Sequence, residues 1–187
     1  MPSSLGHALA GAGIASPLAR SPVPKRFWVA AVLCAAAPDL DVLWHGYVTW
    51  GSWAAHRGFT HSLTFAVVLG TLTAALAFRG PQFAPVRWRY AAALVLATAS
   101  HGFLDGMAVY GTPVMYFWPF STHRYLLPWH LFGYEHFPRP MSIGHRVLRV
   151  VVNEILWIGI PSALLLAVTA LFRRSGGNRS GVDLSSP

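Results

Sequence analysis

Long apolar runs, separated by short segments that contain proline, glycine and arginine, make up most of this chain. Apolar runs of this length predict helices, and the turn-forming residues between them predict short connections. The first run has about 15 residues, fewer than the roughly 20 that a bilayer core demands of a spanning helix. We therefore expect an all-α fold, a polytopic membrane bundle of about five helices whose first helix is short. The predicted helices are residues 5–19, 27–37, 59–78, 88–110 and 150–172.

Residues 111–149 interrupt this pattern with five prolines and nine aromatic side chains. The prolines preclude a long helix, because each removes a backbone donor and clashes with the preceding turn. Amphipathic aromatic rings favour the headgroup layer of a membrane. The segment therefore predicts an aromatic interfacial loop, and residues 45–54 predict a shorter one. We expect one membrane-embedded domain over residues 1–174 and a disordered tail over residues 175–187.

The composition changes the picture by indicating the solvent. The chain is 54% hydrophobic and 11% charged, with a mean hydropathy of +0.45, which is typical of a membrane protein. Its net charge of +8 does not indicate nucleic-acid binding, because the basic residues flank apolar runs and form no basic stripe. No nucleic-acid partner is expected. The single cysteine, Cys34, excludes a disulfide within the chain.

The distribution of Lys and Arg over the two sets of turns predicts the orientation of the bundle. One set holds Arg20, Lys25, Arg26, Arg79, Arg87, Arg89, Arg173, Arg174 and Arg179, and the other holds Arg57, Arg124, Arg139, Arg146 and Arg149. The larger set should lie in the cytoplasm, because positive charge is retained on that side. The chain is therefore predicted to cross the inner (plasma) membrane several times, with its N-terminus outside.

Three short polar clusters interrupt the apolar sequence, at residues 38–41, 55–62 and 100–105. All three fall on the predicted outer side. His101 and Asp105 are four residues apart, so on a helix they face the same way and can share one cation. Carboxylate and imidazole groups are ligands of divalent metals. The clusters therefore predict a metal site near the outer membrane surface.

The other two clusters supply further donors. Asp39 and Asp41 are two residues apart, which predicts two carboxylates on one side of an extended segment. His56 and His61 are expected to converge, one in a loop and one in the first helical turn, with Gly58 allowing the turn between them. The predicted metal ligands are His56, His61, His101, Asp105, Asp39, Asp41 and, at the start of the first helix, His7. Asp41 is predicted to be a ligand or a general base.

These motifs resemble those of the YdjM-like inner-membrane proteins, which are regarded as metal-dependent hydrolases. The matching pieces are His7, P-D-L-D, H-R-G-F-T-H-S, S-H-G-F-L-D and G-T-P-V-M-Y-F-W-P-F, in that order over residues 5–128. The family is distantly similar to the zinc-dependent phospholipase C and single-strand nuclease superfamily, where histidines, an aspartate and H-x-x-x-D pairs hold zinc. Only one such pair, His101 and Asp105, is present here, so one or two ions are expected.

The resemblance implies hydrolysis at a divalent metal, with zinc expected before other ions. A bound metal lowers the pKa of water and polarises the substrate oxygen. Asp41 and Arg57 are the predicted catalytic residues, and Arg57 and Arg124 are predicted to bind a phosphate through paired N–H donors. The expected substrate is a phosphoester of a membrane lipid or lipid-linked molecule. Two alternatives are a metal-ion or proton transporter, which would need polar residues across the whole bundle, and a membrane scaffold protein.

Overall fold

A computed structural model describes residues 2–108, 112–131 and 142–177 of the chain, and these ranges form an all-helical fold. The helices are α1 (Ser4–Ala15), α2 (Lys25–Ala36), α3 (Leu63–Ala77), α4 (Arg87–Gly106), α5 (Ile143–Glu154) and α6 (Ile160–Gly177). A π-helical turn, Ile155–Gly159, joins α5 to α6, so the described chain contains five helical rods. The prediction of about five helices with a short first one is confirmed.

Two helices are long and apolar enough to cross a membrane, Lys25–Tyr47 and Ile143–Ser175, and Leu63–Ala77 is apolar but shorter. Helix α4 contacts α1, α2 and α3, and α6 packs on α1. The contact between α1 and α2 depends on Gly11, because a Cβ there would lie 2.3 Å from the Ala35 Cβ. Small residues thus allow the backbones to approach closely, as is common in membrane bundles.

The basic connections meet at one end of the bundle. The Arg26 guanidinium lies 4.3 Å from the centre of the Phe83 ring. Arg173, near the end of α6, donates to the Ser16 carbonyl at 2.8 Å, after the end of α1. The connections α1–α2 and α3–α4 and the end of α6 therefore lie together, and the three polar clusters lie at the opposite end.

The segment after α2 differs from its predicted extended form. Residues Ala37–Tyr47 form a 3₁₀ helix that starts where the α-helix ends at Ala36. Pro38 suits this start, because its fixed φ matches a helix and its missing N–H needs no partner there. In a 3₁₀ helix, residues two apart point in different directions. The predicted extended segment was therefore wrong, although both carboxylates still approach the His61 ring, Asp39 at Nε2 and Asp41 at Nδ1.

The predicted start of the third helix was also too early. Phe59–His61 forms a single 3₁₀ turn, and α3 begins at Leu63, where the Ser62 hydroxyl accepts the Phe65 N–H at 3.0 Å. A serine in this position stabilises a helix start. His61 consequently lies just before the helix and not in its first turn.

The last helix begins earlier than predicted, which shortens the aromatic loop. Ser142 caps α5 by accepting the His145 N–H, so residues 143–149 are helical. The π turn precedes Pro161, which has no N–H to donate to the preceding turn. The fourth helix ends at Gly106, before its predicted end at 110, because Met107 already leaves the helical conformation. Residues 109–111 and 132–141 of the chain and residues 178–187 of the predicted tail lie outside the described residues.

Candidate metal centre

The three polar clusters and the start of α1 meet at the end of the bundle opposite the basic connections. Elements end or begin there, and the mutual packing of α1, α2 and α4 brings their polar side chains together. We call the resulting set the buried cluster; its members are His7, Asp39, Asp41, His56, Arg57, His61, His101 and Asp105. Only Asp39 and His56 among them keep measurable exposure, about 19% of each side chain, and the others are at most 4% exposed. The cluster therefore opens at these two residues.

Four members of the buried cluster point donor atoms at one place. The ligand atoms of Asp39, His61, His101 and Asp105 all lie within 4.8 Å of one another. His101 Nε2 lies 3.2 Å from Asp39 Oδ1, and His61 Nε2 lies 3.5 Å from Asp105 Oδ2. Three of these atoms have no hydrogen-bond partner among the described residues, and the fourth, Asp105 Oδ2, is paired with Arg57 Nε at 3.0 Å. We call these four residues the central donor group.

The protonation of His101 explains why this arrangement needs a cation. Its Nδ1 lies 2.7 Å from the Ala35 carbonyl oxygen, which can only accept, so Nδ1 carries the hydrogen. The Nε2 of a neutral ring is then a lone pair, and it faces the Asp39 carboxylate without hydrogen-bond geometry. Two buried acceptors facing each other repel unless a proton or a metal ion lies between them, so the space between them suits a cation.

The charge of the buried cluster leads to the same conclusion. It contains the carboxylates of Asp39, Asp41 and Asp105 and one obligatory cation, Arg57, which leaves −2 when the histidines are neutral. Buried charge of this kind is costly unless it is neutralised. One divalent ion supplies the missing charge. The N₂O₂ donor set also suits a four-coordinate, borderline metal ion, so these buried His and Asp side chains can hold a metal ion.

A second group, formed by Asp41, His56 and His61, also has metal-ligand spacing. His56 Nδ1 lies 2.8 Å from Asp41 Oδ1, and His61 Nδ1 lies 3.4 Å from Asp41 Oδ2. A neutral imidazole has one lone pair, so His61 binds an ion in one group at a time. The hydrogen bond that His56 donates to Asp41 raises the pKa of His56, whereas burial lowers the pKa of His61. Neutral His61 is therefore the better ligand near pH 7.

His7 lies inside the buried cluster but beside the central donor group. Its ring stacks on His101 with centroids 3.7 Å apart, and its Nε2 lies 3.5 Å from Asp105 Oδ1. Neither ring nitrogen has a hydrogen-bond partner in the described part of the chain. The sequence pattern did not reveal what holds α1 here: Glu154 accepts hydrogen bonds from the N–H and hydroxyl of Ser3. The role of His7 as a ligand stays a prediction.

Arg57 lies within the buried cluster and is 1% exposed. Its Nε lies 3.0 Å from Asp105 Oδ2, and its Nη1 donates to the Thr112 carbonyl at 2.7 Å. Its φ of +61° is uncommon for a residue with a side chain, and no sequence pattern announced it. Arg57 therefore holds Asp105 and the following loop, and its predicted contact with a phosphate stays a prediction.

Arg124 lies at the rim and is half-buried. It donates to the Ser52 carbonyl at 2.9 Å and to the His56 and Pro113 carbonyls at 3.2 Å. These bonds tie the aromatic loop to the segment before α3. The predicted contact between Arg124 and a phosphate also stays a prediction.

The aromatic loop packs against the same segment. The Trp53 and Trp118 rings are stacked with centroids 5.7 Å apart, and the Phe59 ring lies 5.5 Å from each. The Met115 N–H donates to the Arg57 carbonyl at 3.0 Å. The loop thereby fixes the backbone on which Arg57 is held.

An apolar helical bundle with a buried carboxylate and histidine cluster at one end defines a membrane protein with a candidate metal centre. The chain belongs to the YdjM inner membrane protein family, which matches residues 1–176. It is similar to the inner membrane protein YbcI of Escherichia coli (strain K12), with 32% identity over 181 residues, covering 93% of this chain and all of the relative. No solved structure matches the chain. The resemblance to the YdjM family is confirmed.

Proposed function

We propose that the protein is a membrane-bound, metal-dependent hydrolase that cleaves a phosphoester of a lipid or lipid-linked substrate. The observation that carries the proposal is the central donor group, in which four ligand atoms converge and three of them have no hydrogen-bond partner among the described residues. Asp39, His61, His101 and Asp105 would hold the ion, with zinc favoured by the N₂O₂ set and room for one or two ions. Bound metal supplies Lewis acidity and an activated water.

The surrounding residues support hydrolysis through what they hold. Arg57 fixes the Asp105 carboxylate through Nε at 3.0 Å. Asp41 Oδ1 accepts from His56 Nδ1, which leaves a lone pair on Nε2 of a partly exposed ring. This ring can take a proton from water at the opening, with Asp41 stabilising the charge that forms. His56 would then be the general base, and Asp41 would orient its ring and stabilise the charge.

A lipid substrate is supported by the surface around the opening. Leu40, Leu43 and Tyr47 of the 3₁₀ helix are 56%, 72% and 91% exposed, next to Asp39 in the chain. Exposed apolar residues at the membrane surface favour acyl chains. The excess of basic residues at the other end supports a cytoplasmic position for that end and an outer position for the opening. A phosphoester at headgroup depth could then reach the donor group without leaving the bilayer.

The transporter alternative has less support, because the interior beyond the buried cluster is apolar. Phe27, Phe78, Tyr90 and Leu94 pack together in the half of the bundle near the basic connections, and each is at most 2% exposed. An ion path would need charged or histidine side chains through this core, and the buried polar residues described there, such as Ser16 and Thr98, carry only hydroxyl groups. A membrane scaffold would not need the central donor group, so that alternative leaves the convergence of its four side chains unexplained.

Metal analysis of purified protein, combined with a lipid assay, tests the proposal. Wild-type protein should carry near-stoichiometric divalent metal, His61→Ala should lose most of it, and the exposed-site control His130→Ala should keep it. Release of headgroup or phosphate from phospholipids and polyprenyl phosphates should stop on addition of a chelator. Absence of metal in the wild type would contradict the metal centre, and release that ignores the chelator would contradict metal-dependent hydrolysis.

A further inference from the structure

The Thr60 hydroxyl lies between two members of the buried cluster. Its Oγ1 is 2.9 Å from Asp41 Oδ2 and 3.0 Å from His61 Nδ1, and the residue is 3% exposed. Thr60 carries a neutral hydroxyl, which can both donate and accept a hydrogen bond. Its position decides how His61 presents its other nitrogen.

The direction of the two hydrogen bonds follows from the chemistry of the three groups. An ionised carboxylate has no hydrogen, so the single hydroxyl hydrogen of Thr60 is donated to Asp41. The Thr60 oxygen is then an acceptor for His61, so Nδ1 of that ring carries the hydrogen. Asp41 Oδ2, 3.4 Å from the same Nδ1, favours the same tautomer. His61 Nε2 is consequently a lone pair.

That lone pair faces the central donor group. His61 Nε2 lies 3.5 Å from Asp105 Oδ2 and 4.0 Å from Asp39 Oδ1. His101 reaches the same tautomer through the Ala35 carbonyl, a backbone group that no substitution removes. The two histidines of the central donor group are therefore oriented by different groups. A backbone carbonyl orients His101, and the Thr60 side chain orients His61.

Asp41 can orient Thr60 because its own carboxylate is held on both oxygens. Oδ1 accepts from His56 Nδ1 at 2.8 Å, and Oδ2 accepts from the Arg57 backbone N–H at 3.3 Å. The Asp41 carboxylate is thus fixed in direction, and the Thr60 hydroxyl donates its hydrogen to Oδ2. Hydrogen bonds of this kind behind a metal-ligating histidine fix its tautomer and ring orientation.

We propose that Thr60 is a positioning residue that fixes the Nδ1–H tautomer of His61 and presents Nε2 to a divalent ion. The inference rests on the proposed metal centre. Removing the hydroxyl leaves the two neutral tautomers of His61 less biased, and one of them has no lone pair toward the donor group. Loss of such a partner lowers metal affinity by about 10- to 100-fold in known sites.

Thr60→Val and Thr60→Ser separate the hydroxyl from the shape of the side chain. Zinc affinity of the full chain in detergent is measured by competition with a chromophoric chelator. Thr60→Val should bind zinc about tenfold more weakly or worse, and Thr60→Ser should bind close to the wild type. Equal binding by wild type and Thr60→Val overturns the inference alone, whereas absence of zinc binding in the wild type overturns the metal centre as well. Equal loss in both variants assigns the effect to packing and also overturns it.

A second readout does not depend on metal. The ¹⁵N chemical shifts of the His61 ring in metal-free protein report which nitrogen carries the hydrogen. Wild type and Thr60→Ser should show a protonated Nδ1 and an unprotonated Nε2, and Thr60→Val should shift toward a mixture. A wild-type His61 with its hydrogen on Nε2 would overturn the inference.

Discussion

Replacement of Asp39 by asparagine distinguishes a metal centre from an ordinary buried polar network. In the metal-free protein, Asp39 Oδ1 faces the His101 Nε2 lone pair at 3.2 Å, and neither atom has a hydrogen-bond partner. The asparagine amide has nearly the same shape and carries an N–H₂ group that can donate to that lone pair. The substitution thus replaces a repulsive contact by a hydrogen bond and removes a metal ligand.

The two effects have opposite signs, and both are large enough to measure. A net hydrogen bond contributes about 0.5–1.5 kcal/mol, so metal-free Asp39→Asn should be more stable by about 1 kcal/mol. For a chain of this size that raises Tm by about 2–4 °C. Zinc at 100 times its Kd should stabilise the wild type by about 2.7 kcal/mol, and Asp39→Asn should lose most of this gain.

The assay is thermal unfolding in detergent, with EDTA and with excess zinc. Asp105→Asn is the matched control, because Asp105 Oδ2 lies 3.0 Å from Arg57 Nε and its loss leaves a buried guanidinium without its counter-ion. That change should destabilise the metal-free protein by about 3–5 kcal/mol. Two results would refute the metal centre at Asp39: a Tm of Asp39→Asn below that of the wild type in EDTA, or a zinc-dependent increase in Tm as large as that of the wild type.

Two further predictions concern the orientation of the bundle and the attachment of α1. In a Cys34→Ala background, a cysteine at Gly46, an exposed position where a Cβ meets no other atom within 4 Å, should react with an impermeant reagent in intact cells, and a cysteine at Ser175 should not; the reverse pattern would place the opening in the cytoplasm. Glu154→Gln should lower the free energy of unfolding by about 1–3 kcal/mol, because an amide oxygen replaces a carboxylate that accepts two hydrogen bonds from Ser3. Chemical denaturation measures this loss, and an unchanged midpoint would show that α1 is held by other contacts.

The sequence was sufficient to find the parts of the site because polar residues are rare in this chain. Asp39, Asp41 and Asp105 and the histidines beside them stood out against apolar sequence, and the three clusters that contain them meet in the structure. Helix number followed from the apolar runs for the same reason. Local geometry was harder to predict. Pro38 is compatible both with the end of a helix and with a 3₁₀ helix, and packing on α4 and on the 3₁₀ turn before α3 selects the 3₁₀ helix.

Other features depend on contacts between distant residues. The positive φ of Arg57 is stabilised by Asp105 and Thr112, which lie 48 and 55 residues further along the chain. The early start of α5 depends on Ser142, whose hydroxyl could equally have belonged to a loop. The tautomers of His61 and His101 are set by Thr60 and by a backbone carbonyl. None of these choices leaves a periodic signal.

The continuous rod formed by α5, the π turn and α6 has a consequence for the fit of the protein to its membrane. Its 12, 5 and 18 residues add to 35, which at 1.5 Å per residue is about 52 Å. A whole bilayer with its headgroups measures about 40–45 Å. As a membrane span, the rod must lean or extend into water. Glu154 accepts hydrogen bonds from Ser3. A change in the tilt of the rod in a thinner or thicker bilayer would therefore displace the start of α1, four residues from His7.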